Sequence, residues 1–247
     1  MADHTTWVVV SGAGGALGRV LTKHYANKGK RVLGLDQRFD RIDSDGNAAG
    51  IVTRQVDLTS EREVGACLDE ILGDRAAISL LINAVGRIWS EPILSFRAGK
   101  LVIHAGETWR SAIDANLTAP FVVASQVAAR MVRRGGGSIV NFSSIASEGN
   151  IGQAAYSAAK AGIEGLTHTM ALELGSFGIR VNAISLGFID VESTRSALSE
   201  KQLQDYASRT PLGRLGRLED VIGAIEFLEA NGFANGAVLK IDGGLRL

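Results

Sequence analysis

Four side chains within the stretch NFSSIASEGNIGQAAYSAAK (Asn141 to Lys160) could move a proton to or from an alcohol: Ser143, Ser144, Tyr156 and Lys160. Tyrosine titrates near pH 10 and is a poor base unless its anion is stabilised. A neighbouring ammonium stabilises it. Tyr156 and Lys160 are i and i+4, so a helix sets them on one face with Cβ atoms about 5–6 Å apart. A serine could then hold the substrate oxygen. The same tyrosine–lysine spacing also decorates ordinary surface helices. The pair therefore needs a reason for a proton to move.

That reason lies near the start of the chain. WVVVSGAGGALGRVL runs from an apolar strand through a turn into a helix, with Gly12, Gly15 and Gly18 three apart. Backbone N–H groups at a helix start can hold a pyrophosphate if no Cβ intervenes. Asp36 ends the next strand, 18 residues past Gly18. A carboxylate there can accept hydrogen bonds from both adenosine ribose hydroxyls and repels a 2′-phosphate, which selects NAD over NADP. Arg38 could soften that preference. Asp57 could close the adenine side or cap the helix that begins near LTSEREV. With NAD bound a hydride moves, and a hydroxyl proton must move with it.

The elements that position these groups alternate. Trp7–Val10, Arg31–Asp36, Ser79–Asn83, Ser138–Ser143, Ile179–Ser185 and Ala237–Asp242 read as strands. Most are continuous apolar runs, as expected of parallel strands covered on both faces. Between them, Leu17, Val20, Leu21, His24 and Tyr25 share a helix face, as do Ile163, Leu166, Met170 and Leu174. Another helix ends in Arg130, Arg133 and Arg134, with Gly135 as its stop. The fold class is α/β: a single-domain, Rossmann-type doubly wound parallel sheet flanked by helices over residues 1–247. The stretch around 190–212 is polar, with few strand signals.

Bulk properties exclude other classes. Lysine plus arginine and aspartate plus glutamate are 26 each, so no global field draws the chain to nucleic acid or membrane. No apolar run approaches the roughly 18 residues of a membrane-spanning helix. A single cysteine, Cys67, precludes an internal disulfide and fits a reducing cytoplasm. His4, His24, His104 and His168 are scattered without metal-ligand spacing, so no metal is expected. The stretch around His104 reads as a surface loop, though His104 could border the substrate; Trp89 and Trp109 could line the pocket or simply pack.

These motifs together resemble the short-chain dehydrogenase/reductase family, and within it the 3-oxoacyl carrier-protein reductase-like subset, over nearly the whole chain. SGAGGALG resembles its T-G-x-x-x-G-x-G turn, with Ser11 for threonine and Ala16 for the middle glycine. NAVG resembles its N-N-A-G, keeping Asn83 and Gly86, and IDANLTAPF carries the matching Asn116. LGFIDV is similar to the segment beside the nicotinamide, with Leu186 for proline and Val191 for threonine; IDGG at the C-terminal end matches D-G-G. The resemblance implies Tyr156 as acid/base, Lys160 as the group that lowers its pKa and binds ribose, and Asn116 as the holder of a relay water. It implies cofactor contacts at Ser11, Gly12, Gly15, Ala16, Leu17, Gly18, Asp36, Asp57, Leu58, Asn83, Ala84, Gly86, Tyr156, Lys160, Gly187 and Ile189. It further implies a substrate lid around 190–212 and a homotetramer using the helix after Asn116 and the helix carrying Tyr156.

Two registers compete for the active serine. Counting back from Tyr156, the family's commonest separation of about 13 residues selects Ser143. Counting along the strand, GSIVNFSS resembles G-x-I-V-N-I-S-S, whose second serine acts, and this selects Ser144. A one-residue strand slip turns every side chain over, whereas loops lose residues cheaply, so Ser144 is favoured. The function expected is NAD-dependent interconversion of a secondary alcohol and a ketone, on a sugar, polyol or small hydroxy compound. Alternatives are 3-oxoacyl thioester reduction and a non-catalytic NAD-binding sensor. Asp36 argues against the first, as does Phe177, where some such reductases carry a basic residue. Retention of both Tyr156 and Lys160 argues against the second.

Overall fold

The computed structural model describes residues 6–39, 50–73 and 76–247. Its core is a seven-stranded sheet in the order β3-β2-β1-β4-β7-β8-β9. The first half comprises β1 (Trp7–Ser11), α1 (Ala16–Asn27), β2 (Arg31–Asp36), β3 (Ile51–Gln55), α2 (Glu61–Leu72) and β4 (Ile78–Asn83). After it come β5 (Leu94–Arg97), β6 (Lys100–Ile103), α3 (Gly106–Ile113) and α4 (Ala119–Val132). The second half adds β7 (Gly137–Ser144), α5 (Ala154–Leu174), β8 (Ile179–Leu186), α6 (Glu192–Ala197), α7 (Glu200–Arg209), α8 (Leu218–Ala230) and β9 (Val238–Ile241). All pairs in the large sheet are parallel. The strand order reverses between β1 and β4, where open α/β sheets leave a crevice at the strand C-termini.

Two apolar layers cover the sheet. One packs α2, α4 and α5 residues such as Val64, Leu68, Val123 and Met170 on Val9, Leu81 and Ile139. The other packs Leu21 and Tyr25 of α1 and Val221 and Ile225 of α8 on Val8, Ile82 and Val140. Both faces are therefore dry, which is why the central strands carry continuous apolar runs.

A buried polar row crosses the sheet at its functional end. Ser11, Asn83 and Asn141 stand in register on β1, β4 and β7. Ser11 Oγ donates to Asn83 Oδ1 at 2.8 Å, Asn83 Nδ2 donates to Asn141 Oδ1 at 2.9 Å, and Asn141 Nδ2 donates to Thr167 Oγ1 of α5 at 3.0 Å. Every side chain in this row thus has a partner, and strand ends and helix are locked together.

Two departures from the sequence reading have physical causes. Strand β3 was not anticipated: it is an edge strand, half-buried, and its Ile-Val-Thr-Arg-Gln lacks a continuous apolar run. The stretch around His104, expected as a surface loop, forms the antiparallel hairpin β5–β6. Its turn residues Ala98 and Gly99 both have positive φ (50° and 76°), the geometry of a type I′ turn, without the Asn-Gly signal that usually announces one. The hairpin is also inverted relative to a globular strand pair. Cross-strand partners Leu94–Ile103 and Phe96–Leu101 face solvent, while Ser95 and Val102 are half-buried.

Candidate active site

The glycine turn closes tightly. Gly12 has φ +75° and lies so near the β4 exit that a Cβ on it would fall 2.5 Å from Val85 N. A Cβ on Gly18 would collide with the Gly12 carbonyl, so the first turn of α1 can sit against the β1 end only as glycine. No side chain caps α1, and its first turn holds no acid. Helix-start N–H groups therefore stay available to an anion. Gly14 N–H donates to Asp36 Oδ2 at 2.9 Å, and Arg38 N–H donates to Asp36 Oδ1 at 3.1 Å. Asp36 is thus fixed at the rim beside the turn. This cradle fits the pyrophosphate and ribose of a dinucleotide.

Asn116 owes its place to a turn of π-helix, Asp114–Thr118, between α3 and α4. Such a bulge re-aims one side chain inside a helix and is frequent at functional sites. Asn116 is fully buried. Its Nδ2 donates to the Ala112 and Arg87 carbonyls at 3.0 and 3.1 Å, and its Oδ1 accepts from Arg87 N–H at 3.1 Å. The amide clamps the segment leaving β4.

Tyr156 and Lys160 project from the buried face of α5. Lys160 Nζ donates to the Phe142 carbonyl at 2.9 Å and lies 5.7 Å from the centre of the Tyr156 ring. Burial pushes the Lys160 ammonium down from 10.5 to about 8. Burial pushes the Tyr156 phenol up, and a hydrogen bond with the Ser144 hydroxyl pulls it back down. The two serines diverge. Ser143 Oγ is buried against α5, bonded to Glu164 Oε1 at 2.7 Å and to the Lys160 carbonyl at 3.2 Å. Ser144, at the strand end, meets Tyr156 and also accepts from Ala146 N–H at 3.2 Å.

These groups share one cleft of about 350 Å³. Gly15, Ala16, Leu17, Gly18, Ala84, Gly86, Ser144, Tyr156, Lys160, Gly187 and Ile189 line it, as does Ser143. Ser11, Gly12, Asp36, Asn83 and Asn116 do not; Gly12 packs beneath it against Val85, and Ser11, Asn83 and Asn116 brace its walls through the bonds given above, while Asp36 stands outside it beside the turn. Leu58 is packed in the core with no exposed surface. Asp57 does not cap α2. That cap is Ser60, and the Asp57 carboxylate instead accepts from Thr59 N–H, Thr59 Oγ1 and Gln37 Nε2, which hold its pKa low. Neither Asp57 nor Leu58 lines the cleft. His104 is tied to the Glu91 carbonyl, Trp109 packs edge-on to His104, and Trp89 lies under Arg87. None of the three lines the cleft. Among the described residues no three His, Cys, Asp or Glu side chains converge as metal ligands would, and no helix is long and apolar enough to cross a membrane.

The sequence reading missed the outer wall, formed by Arg87, Ile88, Asn150, Gln153, Phe188 and Leu247. It also missed Glu164, which holds both Ser143 and Ser147 at 2.7 Å. A signal for Glu164 was present: Tyr156, Lys160 and Glu164 recur every four residues along α5. Above the cleft, α6 and α7 follow β8. Arg19 of α1 pairs with Glu192 of α6 at 3.1 Å, and Phe188 stacks on Tyr206 of α7 at 3.8 Å.

Comparison with known proteins agrees with this geometry. A family model described as enoyl-(acyl carrier protein) reductase matches residues 12–246. A 3-oxoacyl-[acyl-carrier-protein] reductase of Thermotoga maritima is 34% identical over 245 residues, spanning 96% of each chain. A gluconate 5-dehydrogenase of Gluconobacter oxydans is 32% identical over 248 residues, spanning 96% of this chain and 93% of the relative. The structure of a short-chain type dehydrogenase/reductase from Mycobacterium ulcerans superposes with a TM-score of 0.85 at 28% identity, covering 97% of this chain and 89% of that one.

Proposed function

The chain belongs to the short-chain dehydrogenase/reductase family, and on that premise we propose that it is an NAD(H)-dependent oxidoreductase interconverting a secondary alcohol and a ketone. The observation that carries this reading is the convergence of Ser144, Tyr156 and buried Lys160 in one cleft that the glycine turn also lines. In the oxidation direction Ser144 holds the substrate hydroxyl and Tyr156 takes its proton as the C=O bond forms. A nicotinamide cofactor, when bound, takes up the hydride released from the same carbon. Lys160, still protonated near pH 7 by its pKa of about 8, favours the tyrosinate and hydrogen-bonds the ribose. Asn116 keeps a relay water beside Lys160.

Asp36 supports NAD. Its carboxylate is already oriented by Gly14 and Arg38 N–H groups, and a 2′-phosphate there would meet a like charge. Helices α6 and α7 act as the substrate lid, tied to the cofactor turn through Arg19–Glu192. Helices α4 and α5 form the tetramer interface, a reading supported by exposed Phe121 and Leu172 and by the exposed small residues Ala158, Ala161 and Gly165. The buried, unpaired thiol of Cys67 supports a cytoplasmic setting.

A second reading, reduction of a 3-oxoacyl thioester, rests on the name of the Thermotoga maritima relative. Asp36 and the exposed Phe177 count against it. The test is NAD reduction by wild type and Tyr156→Phe across a panel of secondary alcohols. The expected loss is about 10²–10⁴-fold. Equal rates remove Tyr156 from the chemistry, and no turnover by wild type on any alcohol favours an NAD-binding sensor.

A further inference from the structure

We propose that Arg87 anchors an anionic group of the substrate, and that the substrate is a small hydroxy or keto acid bearing a carboxylate. This rests on the dehydrogenase reading above and deepens it.

The argument follows the segment that leaves β4. Val85 abuts the glycine turn at Gly12. Gly86, the next residue, abuts the proton-moving groups: a Cβ on it would lie 2.6 Å from Asn116 Oδ1 and 3.4 Å from Lys160 Nζ. Arg87 is one step further from the turn, with its N–H and carbonyl both held by the Asn116 amide. The segment then continues to Ser90, whose hydroxyl accepts from Gln153 Nε2 at 3.4 Å, and Gln153 Oε1 accepts from Asn150 Nδ2 at 3.0 Å. Arg87, Asn150 and Gln153 therefore form a polar wall beyond Lys160, away from the helix start that suits pyrophosphate.

Charge and shape identify the ligand. Arg87, Asn150 and Gln153 all line the cleft, while no Asp or Glu is among the described residues that do. The Arg87 guanidinium carbon sits over the Trp89 ring, 4.0 Å from its centre. Stacking uses the face of the fork and leaves its N–H edge for a planar, bidentate acceptor. A carboxylate is that acceptor, and the amides of Asn150 and Gln153 extend the same wall with neutral donors. The cleft, about 350 Å³, must also receive the nicotinamide end of the cofactor, so the acid is small.

The test compares lactate, 3-hydroxybutyrate and gluconate with their methyl esters, using NAD and the intact enzyme. In wild type at least one acid should exceed its ester by ten-fold or more in kcat/KM. Arg87→Met should remove that advantage through a 10–100-fold rise in KM for the acid, with kcat within about threefold, since a lost charge-assisted pair costs about 1.5–3 kcal/mol. Arg87→Lys should restore part of it, and KM for NAD and for esters should stay unchanged. A second readout needs no turnover. Titrating the acids into the NAD-loaded protein should perturb Trp89 fluorescence, with no response in Trp89→Phe or Arg87→Met. Acid and ester falling together, a raised KM for NAD, or a fluorescence response that survives Arg87→Met would overturn the proposal. Acid binding without turnover would instead leave the anion site standing and sink the dehydrogenase reading.

Discussion

Replacing Lys160 by methionine should make the protein more stable while destroying its activity. The ammonium is buried and held at a pKa of about 8, against 10.5 in water. That difference corresponds to about 3 kcal/mol of desolvation carried by the folded state. Methionine keeps the straight chain but leaves the Phe142 carbonyl without its 2.9 Å donor, a loss of about 1 kcal/mol. The net gain at pH 7 is about 2 kcal/mol, or roughly 4–8 °C in Tm for a chain of this length. The sign depends on pH. Below pH 8 the lysine is charged in both states and the folded protein bears the full cost. Between pH 8 and 10.5 the folded state releases the proton while the unfolded chain keeps it, so wild-type stability rises with pH relative to the variant. Thermal melts of both proteins without cofactor, at pH 7 and pH 10, measure this difference, and initial rates with NAD measure the activity lost. A variant that melts lower than wild type at pH 7, or a gap that does not shrink by pH 10, would refute the reasoning. The lysine would then be paired with a group that the burial argument leaves out.

Ser144→Ala should lower kcat by about 10²-fold or more, because its hydroxyl meets Tyr156. Ser143→Ala should keep most activity, because its hydroxyl is spent on Glu164; rates for the two variants decide, and the reverse order would move the role to Ser143. Asp36→Ala should cut the NAD-over-NADP preference in kcat/KM by about ten-fold or more, since it removes both the ribose acceptor and the like charge that repels a 2′-phosphate; an unchanged ratio would place cofactor selection elsewhere. Gly18→Ala should abolish NAD binding measured by calorimetry, or prevent folding read by circular dichroism, because the added Cβ meets the Gly12 carbonyl; a folded variant that binds NAD normally would show that the turn can open.

Much of this protein was legible along the chain because the physics is local. The glycine turn, the Asp36 strand end and the Tyr156–Lys160 pair each depend on spacing within a few residues, and continuous apolar runs mark strands covered on both faces. Strand register also separated the two serines, since Asn141 and Ser143 must share a face and Ser144 must take the other. What failed to show in sequence depends on neighbours far away. Edge strand β3 is half-buried, and its Ile-Val-Thr-Arg-Gln carries no continuous apolar run to mark it. The hairpin β5–β6 turns on positive φ at Ala98, which no residue preference signals.

The sequence by itself determined side-chain types and their local spacing: the Tyr156–Lys160 pair, the three glycines of the turn and the acid at the end of β2. Only the tertiary structure decided who stands opposite them. Ser143 is withdrawn by a glutamate 21 residues along the chain, and Asn116 is aimed by a π-turn to clamp a segment 29 residues away. Arg87 is brought to a wall that Asn150 and Gln153, in the loop before α5, complete. Side-chain type fixes what a group can do, but packing across the sheet fixes what it faces, and that is a property of the whole fold.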